Sequence, residues 1–467
     1  MTSLQESKTA RISTLCALYF AQGFPWGFMT TALVAYLANQ GLSVEETGYL
    51  ISMAVLPWTF KLFWAPLIDT FNYPAMGRRR PWIIGSELLM ALTLLGMAFS
   101  GDITSNLNAM AWMFFFHNCF ASLQDVCTDA LAVDILPDDE RGQVNGFMWG
   151  SKIIGVGFGI SVMGTFLVHT SLNITVIFQA GLVLGVMVFP LLFRERDGEK
   201  LLPWSVGKSM GGNHFNTIRK PLSVVKDLLK GFAVQPTFSA AVFILIAFIG
   251  SGISSAFLPV LYINDLGWKP ETYSQIVGVP GTILEFCGAL LGGFIADRIG
   301  KRKVIAVGYS AYGLLTIAFG LLSEYWTNSF LSAAYLIIHP GCISFGTVAV
   351  FSLFMQISWT RAAATMFTSY MAMANLSTII GTRLAGYLEG VLLYDRIFVL
   401  VGILTLLPLG LLLFINPDKI DKLKMAFQAK FYQDKGISNE KLQTFFNTAK
   451  KEIKNKNLRN ILSNFIE

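Results

Sequence analysis

The chain has 467 residues, 54% of them hydrophobic and only 14% charged, with a mean hydropathy of +0.56. A soluble domain carries about 25% charged residues, so this composition excludes a soluble globular protein. The net charge of +6 does not point to nucleic acid. No stacking platform is present, and the basic residues fall between apolar blocks, where lipid headgroups account for them.

The apolar residues form blocks of about 20, the length that crosses a bilayer. In chain order, spans are predicted over 12–38, 47–68, 82–99, 109–136, 144–168, 174–193, 237–262, 273–296, 304–322, 330–358, 366–388 and 397–415. The expected organisation is a first six-helix bundle over 1–193, a cytoplasmic linker over 194–236, a second bundle over 237–415 and a basic cytoplasmic tail over 416–467. About 30 of the 35 basic residues then lie on one side if the N-terminus is inside. Positive residues favour the cytoplasm, so both termini are expected there. The first residues, MTSLQESKTARIST, lack the layout of a cleavable signal peptide. The tail stretch KIDKLKMAFQAKFYQDK reads either as an amphipathic helix drawn to anionic lipids of the inner leaflet or as a solvated tail.

Several spans carry residues that a passive span avoids. A carboxylate in a span costs roughly 2.5–3.5 kcal/mol on insertion scales and so faces a cavity or a partner. In span 4, Asn118, Ser122, Asp125 and Asp129 are spaced four, three and four apart and share one helix face. Lys61 of span 2, between Trp58 and Trp64, and Lys152 of span 5 reach a similar depth. One reading is a charged pocket, with the lysines holding an anionic substrate group and Asp125 or Asp129 carrying a proton. The other is internal ion pairing with lysine snorkelling. Further polar or ring-bearing candidates near the midplane are Gln22 and Trp26 in span 1, Gln124 in span 4, His339 in span 10 and Asn375 in span 11. Glu285 in span 8 is a second candidate proton site. Gly23, Pro25, Pro57, Pro280, Gly281 and Pro340 loosen these helices, as alternating access requires, or serve packing.

A different set of charges gathers at the inner ends of spans 2 to 5: Asp69, Arg78, Arg79, Arg80, Asp134, Glu140 and Arg141. Such a cluster can latch one state of a rocking transporter. Asp297, Arg298 and Arg302 repeat part of it in the second half. Cys16, Cys119, Cys127, Cys287 and Cys342 are scattered through the spans without metal-ligand spacing. Val206-Gly207-Lys208-Ser209 ends like a phosphate loop but lacks its leading glycine and strand. No metal, cofactor or catalytic set is expected, and energy must come from an ion gradient or from the substrate's own gradient. His117, His169, His214 and His339 fall in unrelated places, which disfavours the rival reading of a membrane-embedded enzyme; a transporter-like sensor is the other rival.

The loop APLIDTFNYPAMGRRRPWI between spans 2 and 3 matches GGFIADRIGKRKVIAV between spans 8 and 9. Two similar six-span halves joined by a linker resemble the major facilitator superfamily. The expected fold is therefore an all-α membrane protein of twelve transmembrane helices in two pseudo-symmetric six-helix bundles. KLFWAPLID at 61–69, GRRRPW at 77–82, and QDVxxDA followed by DILPxxERG across 124–142 resemble the AmpG-like muropeptide permeases. That branch also holds acetyl-coenzyme A transporters and siderophore importers. The resemblance implies a proton-driven importer in the inner membrane; a monomer that moves a small molecule by alternating access is expected. It carries over Lys61, Asp69, Arg78, Arg79, Arg80, Gln124, Asp125, Asp129, Asp134, Glu140 and Arg141. Those permeases tend to have a lysine where this chain has Leu131-Ala132-Val133, so siderophore or coenzyme A-type cargo stays open.

Overall fold

A computed structural model describes residues 3–71, 73–101, 106–137, 140–207, 221–358, 363–420 and 423. Among these the helices join into twelve long rods. Spans 1 to 6 cover 8–38, 44–70, Arg80–Phe99, Leu107–Ile135, Arg141–His169 and Leu172–Leu192. Spans 7 to 12 cover 235–265, 270–299, Lys301–Leu321, Ser329–Ile357, Ala363–Glu389 and 394–413. Eight of the rods are long and apolar enough to cross a membrane by length and composition. The other four are the ones that hold Gln22, Lys61, Asp125 and Asn375.

Each predicted span falls on one rod. The rods start earlier because polar caps lie outside the apolar blocks. Ser7 accepts from the Ala10 amide at the start of span 1, and Ser43 forms a capping box with Glu46 at the start of span 2. The predicted tail lies outside the described residues at 421, 422 and 424–467, as does the Asp69 side chain. The loosened points fall at prolines. Span 2 tightens into a 3₁₀ turn over Leu56–Phe60, begun by Pro57 and delivering Lys61 at its end. Span 8 widens into a π turn over Val277–Gly281 around Pro280.

Glycines set how closely the rods approach. Gly23 and Gly27 of span 1 face Gly155 and Gly159 of span 5, each pair spaced by four. A Cβ on Gly23 would sit 2.2 Å from the Lys152 carbonyl oxygen, and one on Gly159 would sit 2.0 Å from that of Phe24. This is the small-xxx-small packing of membrane helices, in which backbones touch directly. Spans 7 and 11 repeat the arrangement through Gly252 and Gly381, which would meet the carbonyls of Thr378 and Ile249 at 2.4 and 2.2 Å.

The two halves also meet. A Cβ on Gly48 of span 2 would lie 2.1 Å from the Thr382 carbonyl of span 11, and one on Gly278 of span 8 would lie 2.7 Å from the Ser161 amide of span 5. Gln275 donates to Thr165 Oγ1 at 2.5 Å nearby. These contacts fall toward the rod ends that the sequence places outside, so the structure is closed at that end. At the other end, residues 194–207 fold back under span 3. The Lys200 amide donates to the Ala75 carbonyl at 2.7 Å, and the Leu4 amide donates to that of Arg194 at 2.8 Å.

A leucine at position 159 would drive a side chain into backbone that cannot yield. Gly159→Leu is expected to destabilise the protein by about 1–3 kcal/mol, the usual cost of overpacking, read as a lowered thermal midpoint in detergent. Gly181→Ala, where nothing lies within 4 Å, should leave the midpoint unchanged. Equal midpoints for the two variants would contradict the zipper.

Candidate substrate and proton site

The site begins at Asp125. Span 4 turns this residue into the interior of the first half, where it is 3% exposed. Lys61 hydrogen-bonds one carboxylate oxygen, and Lys152 Nζ lies 3.7 Å from the other. One acid is thus held between two cations from two other helices. Each lysine is in turn supported by rings. Lys61 Nζ lies 4.8 Å from the Trp58 ring, and Lys152 Nζ lies 4.7 Å from the same ring and 5.3 Å from that of Trp149. Cations are drawn to aromatic faces, more strongly where water is scarce.

One helical turn on, Asp129 accepts a hydrogen bond from the Tyr19 hydroxyl of span 1. Trp58 Nε1 donates to Asn118 Oδ1 at 3.0 Å, and Trp64 Nε1 donates to Ser122 Oγ at 2.9 Å. Trp26 meets Trp58 edge to face with ring centroids 5.6 Å apart. The polar stripe of span 4 therefore anchors the tryptophans of span 2, and one of them, Trp58, faces both lysines. Gln22 and Gln124 lie behind this wall and hydrogen-bond each other at 2.6 Å.

The second-half candidates are not brought into this cluster by any hydrogen bond or ion pair among the described residues. His339 stacks on Tyr335 with centroids 4.8 Å apart, and its Nδ1 lies 2.9 Å from the Tyr335 carbonyl. Glu285 and Asn375 are half-buried in spans 8 and 11. Neither has a hydrogen-bond partner among the described residues.

The inner-end charges divide into separate units. Arg79 Nε pairs with Asp134 at 3.2 Å. Glu140 takes Arg11 at 2.6 Å and Lys8 at 3.4 Å, and the Arg11 hydrogen bonds hold its carboxyl below the usual range. Arg141 reaches the Val133 carbonyl at 3.4 Å, and Arg78 lies half-buried beside Arg79 in the same loop. Arg80 is fully buried and donates to the carbonyls of Met76, Pro190, Lys200 and Leu201. Its role there is to fasten residues 194–207 to span 3. Glu195 completes the fastening by accepting from the amides of Arg79 and Arg80 at 3.0 and 3.3 Å. Gly77, at φ 100°, leaves that carboxylate room to approach. Burial, and then the neighbouring Glu195, push the Glu199 carboxyl up to about 7. In the second half, Arg302 donates to the carbonyls of Leu412 and Ile415, and Arg298 covers the Phe294 ring at 4.0 Å. Asp297 is exposed and has no ion-pair partner among the described residues.

Sequence reasoning passed over four groups that the geometry makes prominent: Tyr19, Glu87, Arg11 and Glu195. Glu87 was open to detection, as an acid inside the apolar run of span 3. Tyr19, Arg11 and Glu195 carry no such signal, because their importance comes only from the partners that folding supplies.

Residues 15–382 match the family model of the Major Facilitator Superfamily, and residues 240–463 match it a second time. The chain is 24% identical over 383 residues to the anhydromuropeptide permease of Escherichia coli (strain K12), an alignment covering 81% of this chain and 74% of that one. It is 24% identical over 420 residues to the putative transporter AmpG 4 of Rickettsia conorii, covering 88% of this chain and 97% of that one. In fold it is similar to a crystal structure of the nucleoside transporter NupG, with a TM-score of 0.65 at 15% identity, covering 86% of this chain and 99% of that one. The twelve rods, the repeated loop and the extent of the family match agree, and the chain belongs to the Major Facilitator Superfamily of multi-pass membrane transporters.

Proposed function

We propose that this protein imports an anionic solute of the muropeptide type across the inner membrane, coupled to protons, with both termini in the cytoplasm. The observation that carries this reading is the single acid Asp125 held between Lys61 and Lys152. With no substrate bound, Asp125 sets its one negative charge against the two lysines. A proton on Asp125 removes that charge and leaves two buried cations seeking an anion. Proton and anion then load together, because each relieves the cost of burying the other's partner. Asp129, one turn nearer the inner end, exposed and held by Tyr19, offers a second carboxyl. The rings of Trp26, Trp58 and Trp149 give apolar faces beside the cations, which suit a sugar carrying an acidic group. Similarity to the anhydromuropeptide permease supports that cargo class. The halves are closed at the outer end, so this arrangement corresponds to a state that faces the cytoplasm.

The inner-end pairs fit a latch. Arg79 with Asp134, and Arg11 with Glu140, join spans 3 and 4 and spans 1 and 5 at the level where a rocking half must bend.

The direct test is uptake of a labelled anhydro-muropeptide into right-side-out vesicles with an imposed acid-outside gradient. Accumulation is expected to follow the gradient and to collapse with a protonophore. Wild-type uptake indifferent to the gradient would refute proton coupling. Asp125→Asn is expected to lose gradient-driven accumulation while still binding the anion at neutral pH, since both lysines keep their charge. A thermal-shift screen of anhydro-muropeptides, ferric siderophores and acyl-coenzyme A compounds should single out the first class; stabilisation only by one of the others would replace the cargo assignment. Lys61→Met is expected to weaken anion binding by about 10- to 150-fold, the loss of one hydrogen bond to a charged group at about 1.5–3 kcal/mol, measured by titration calorimetry. Unchanged affinity would remove Lys61 from the site.

A further inference from the structure

A fully buried carboxyl lies behind the lysine cluster. Glu87 is in span 3, about 10 Å from its start at 1.5 Å per residue, and is 0% exposed. Its Oε1 accepts from Gln124 Nε2 at 2.8 Å, and its Oε2 has no partner among the described residues. Gln124 also donates to the Leu18 carbonyl at 3.2 Å and accepts from Gln22 Nε2. Spans 1, 3 and 4 thus meet in one polar knot, and the knot is short of donors. Glu87 Oε2 and Gln22 Oε1 are both acceptors, both buried and both unpartnered.

Among the described residues no cation is paired with Glu87. Span 3 packs against spans 4 and 6. On span 4, Asp125 and Asp129 are committed to Lys61 and Tyr19. His117 is also there, with its Nδ1 at 3.1 Å from the Thr93 hydroxyl and 3.3 Å from the Met90 carbonyl. Span 6 carries no charged residue. On span 1, Arg11 is on Glu140. Arg80, on span 3 itself, is used by backbone carbonyls. An ionised carboxylate in such a place is costly when no cation or further donor answers it. The missing donor could be a metal cation or a proton. A hard cation takes about six oxygen ligands, and the knot has two to spare; a proton needs one.

We propose that Glu87 is a proton-binding site of the transport cycle, linked to the Lys61–Asp125–Lys152 cluster through Gln124. The proposal rests on the proton-coupled reading given above. A proton on Oε2 gives the knot its missing donor and leaves Glu87 neutral. When the proton leaves to water, the new charge must be answered by the amides of Gln124 and Gln22. Gln124 directly precedes Asp125, so its reorientation acts on the helical turn that holds Asp125 against its lysines. Glu87 is in this sense a positioning residue, apart from the substrate.

Infrared difference spectroscopy on the full chain in liposomes, with isotope-labelled glutamate to separate Glu from Asp, reads the proton directly. The wild type is expected to show a protonated glutamic acid band at neutral pH that Glu87→Gln lacks and Glu285→Gln retains. Identical spectra for wild type and Glu87→Gln would overturn the proposal. In the same liposomes, with labelled anhydro-muropeptide as probe, Glu87→Gln is expected to keep exchange at equal concentrations. Its accumulation under an acid-outside gradient should fall to the level set by the probe's own gradient. Full accumulation by this neutral, isosteric variant would overturn the coupling role. A wild type that ignores the gradient while exchanging the probe would instead sink the symport reading, and the infrared band would then decide alone whether Glu87 binds a proton.

Discussion

The structure depends on how a few charges are kept inside a low-dielectric bundle. Asp125 cannot lie in span 4 without a cation, and neither Lys61 nor Lys152 can lie at that depth without an anion. Each makes the others tolerable. The arrangement joins spans 2, 4 and 5, so the first half cannot rearrange at this level without separating charges. Removing Asp125 would leave two cations without their counter-charge, whereas removing one lysine would leave a balanced pair. In the proposed cycle an entering anion changes that balance, because it replaces Asp125 as the lysines' partner.

The glycine zipper and the charged site are one construction. The carbonyl of Lys152 lies where a side chain on Gly23 would be. Span 5 must press its backbone against span 1 at the very residue whose ammonium group reaches Asp125. Tyr19, one turn before Gly23, then meets Asp129 from the same helix. A larger residue at position 23 would therefore shift Lys152 and Tyr19 together. Packing of this kind gives a membrane site its precision, since no hydrophobic effect drives the helices together in lipid.

Much of this was legible in the sequence, for physical reasons that can be named. Twelve apolar blocks show because each rod must offer apolar side chains to lipid or core along its whole length. The stripe Asn118, Ser122, Asp125 and Asp129 shows because helical spacing fixes which residues share a face. Lys61 and Lys152 show because a cation in a span is rare. What stayed hidden is partner choice. Nothing in the one-dimensional pattern says that Glu140 would take Arg11 and Lys8, or that Arg80 would turn to four carbonyls. Those choices depend on where residues 3–11 and 194–207 fold back, and neither segment has a period that reports its path. Glu87 is the instructive intermediate case. It was visible as an acid in an apolar run, but its neighbours Gln22 and Gln124 gather around it only when spans 1, 3 and 4 are packed.

The distribution of polarity between the halves suggests how the switch is biased. The ion pairs among the described residues all lie within the first half. The outer closure is built from backbone contacts at Gly48 and Gly278 and from the hydrogen bonds of Gln275. Opening that end therefore breaks dispersion contacts and few polar ones, and separates no described ion pair. The second half offers stacked rings, such as His339 on Tyr335, and no ion pair among the described residues, where the first half offers paired charges. The second half still brings one cation to the seam, Arg383, whose guanidinium lies 4.6 Å from the Tyr49 ring of span 2. The polar contacts that could bias the switch are therefore concentrated in the first half, while the closure between the halves rests mainly on close backbone packing.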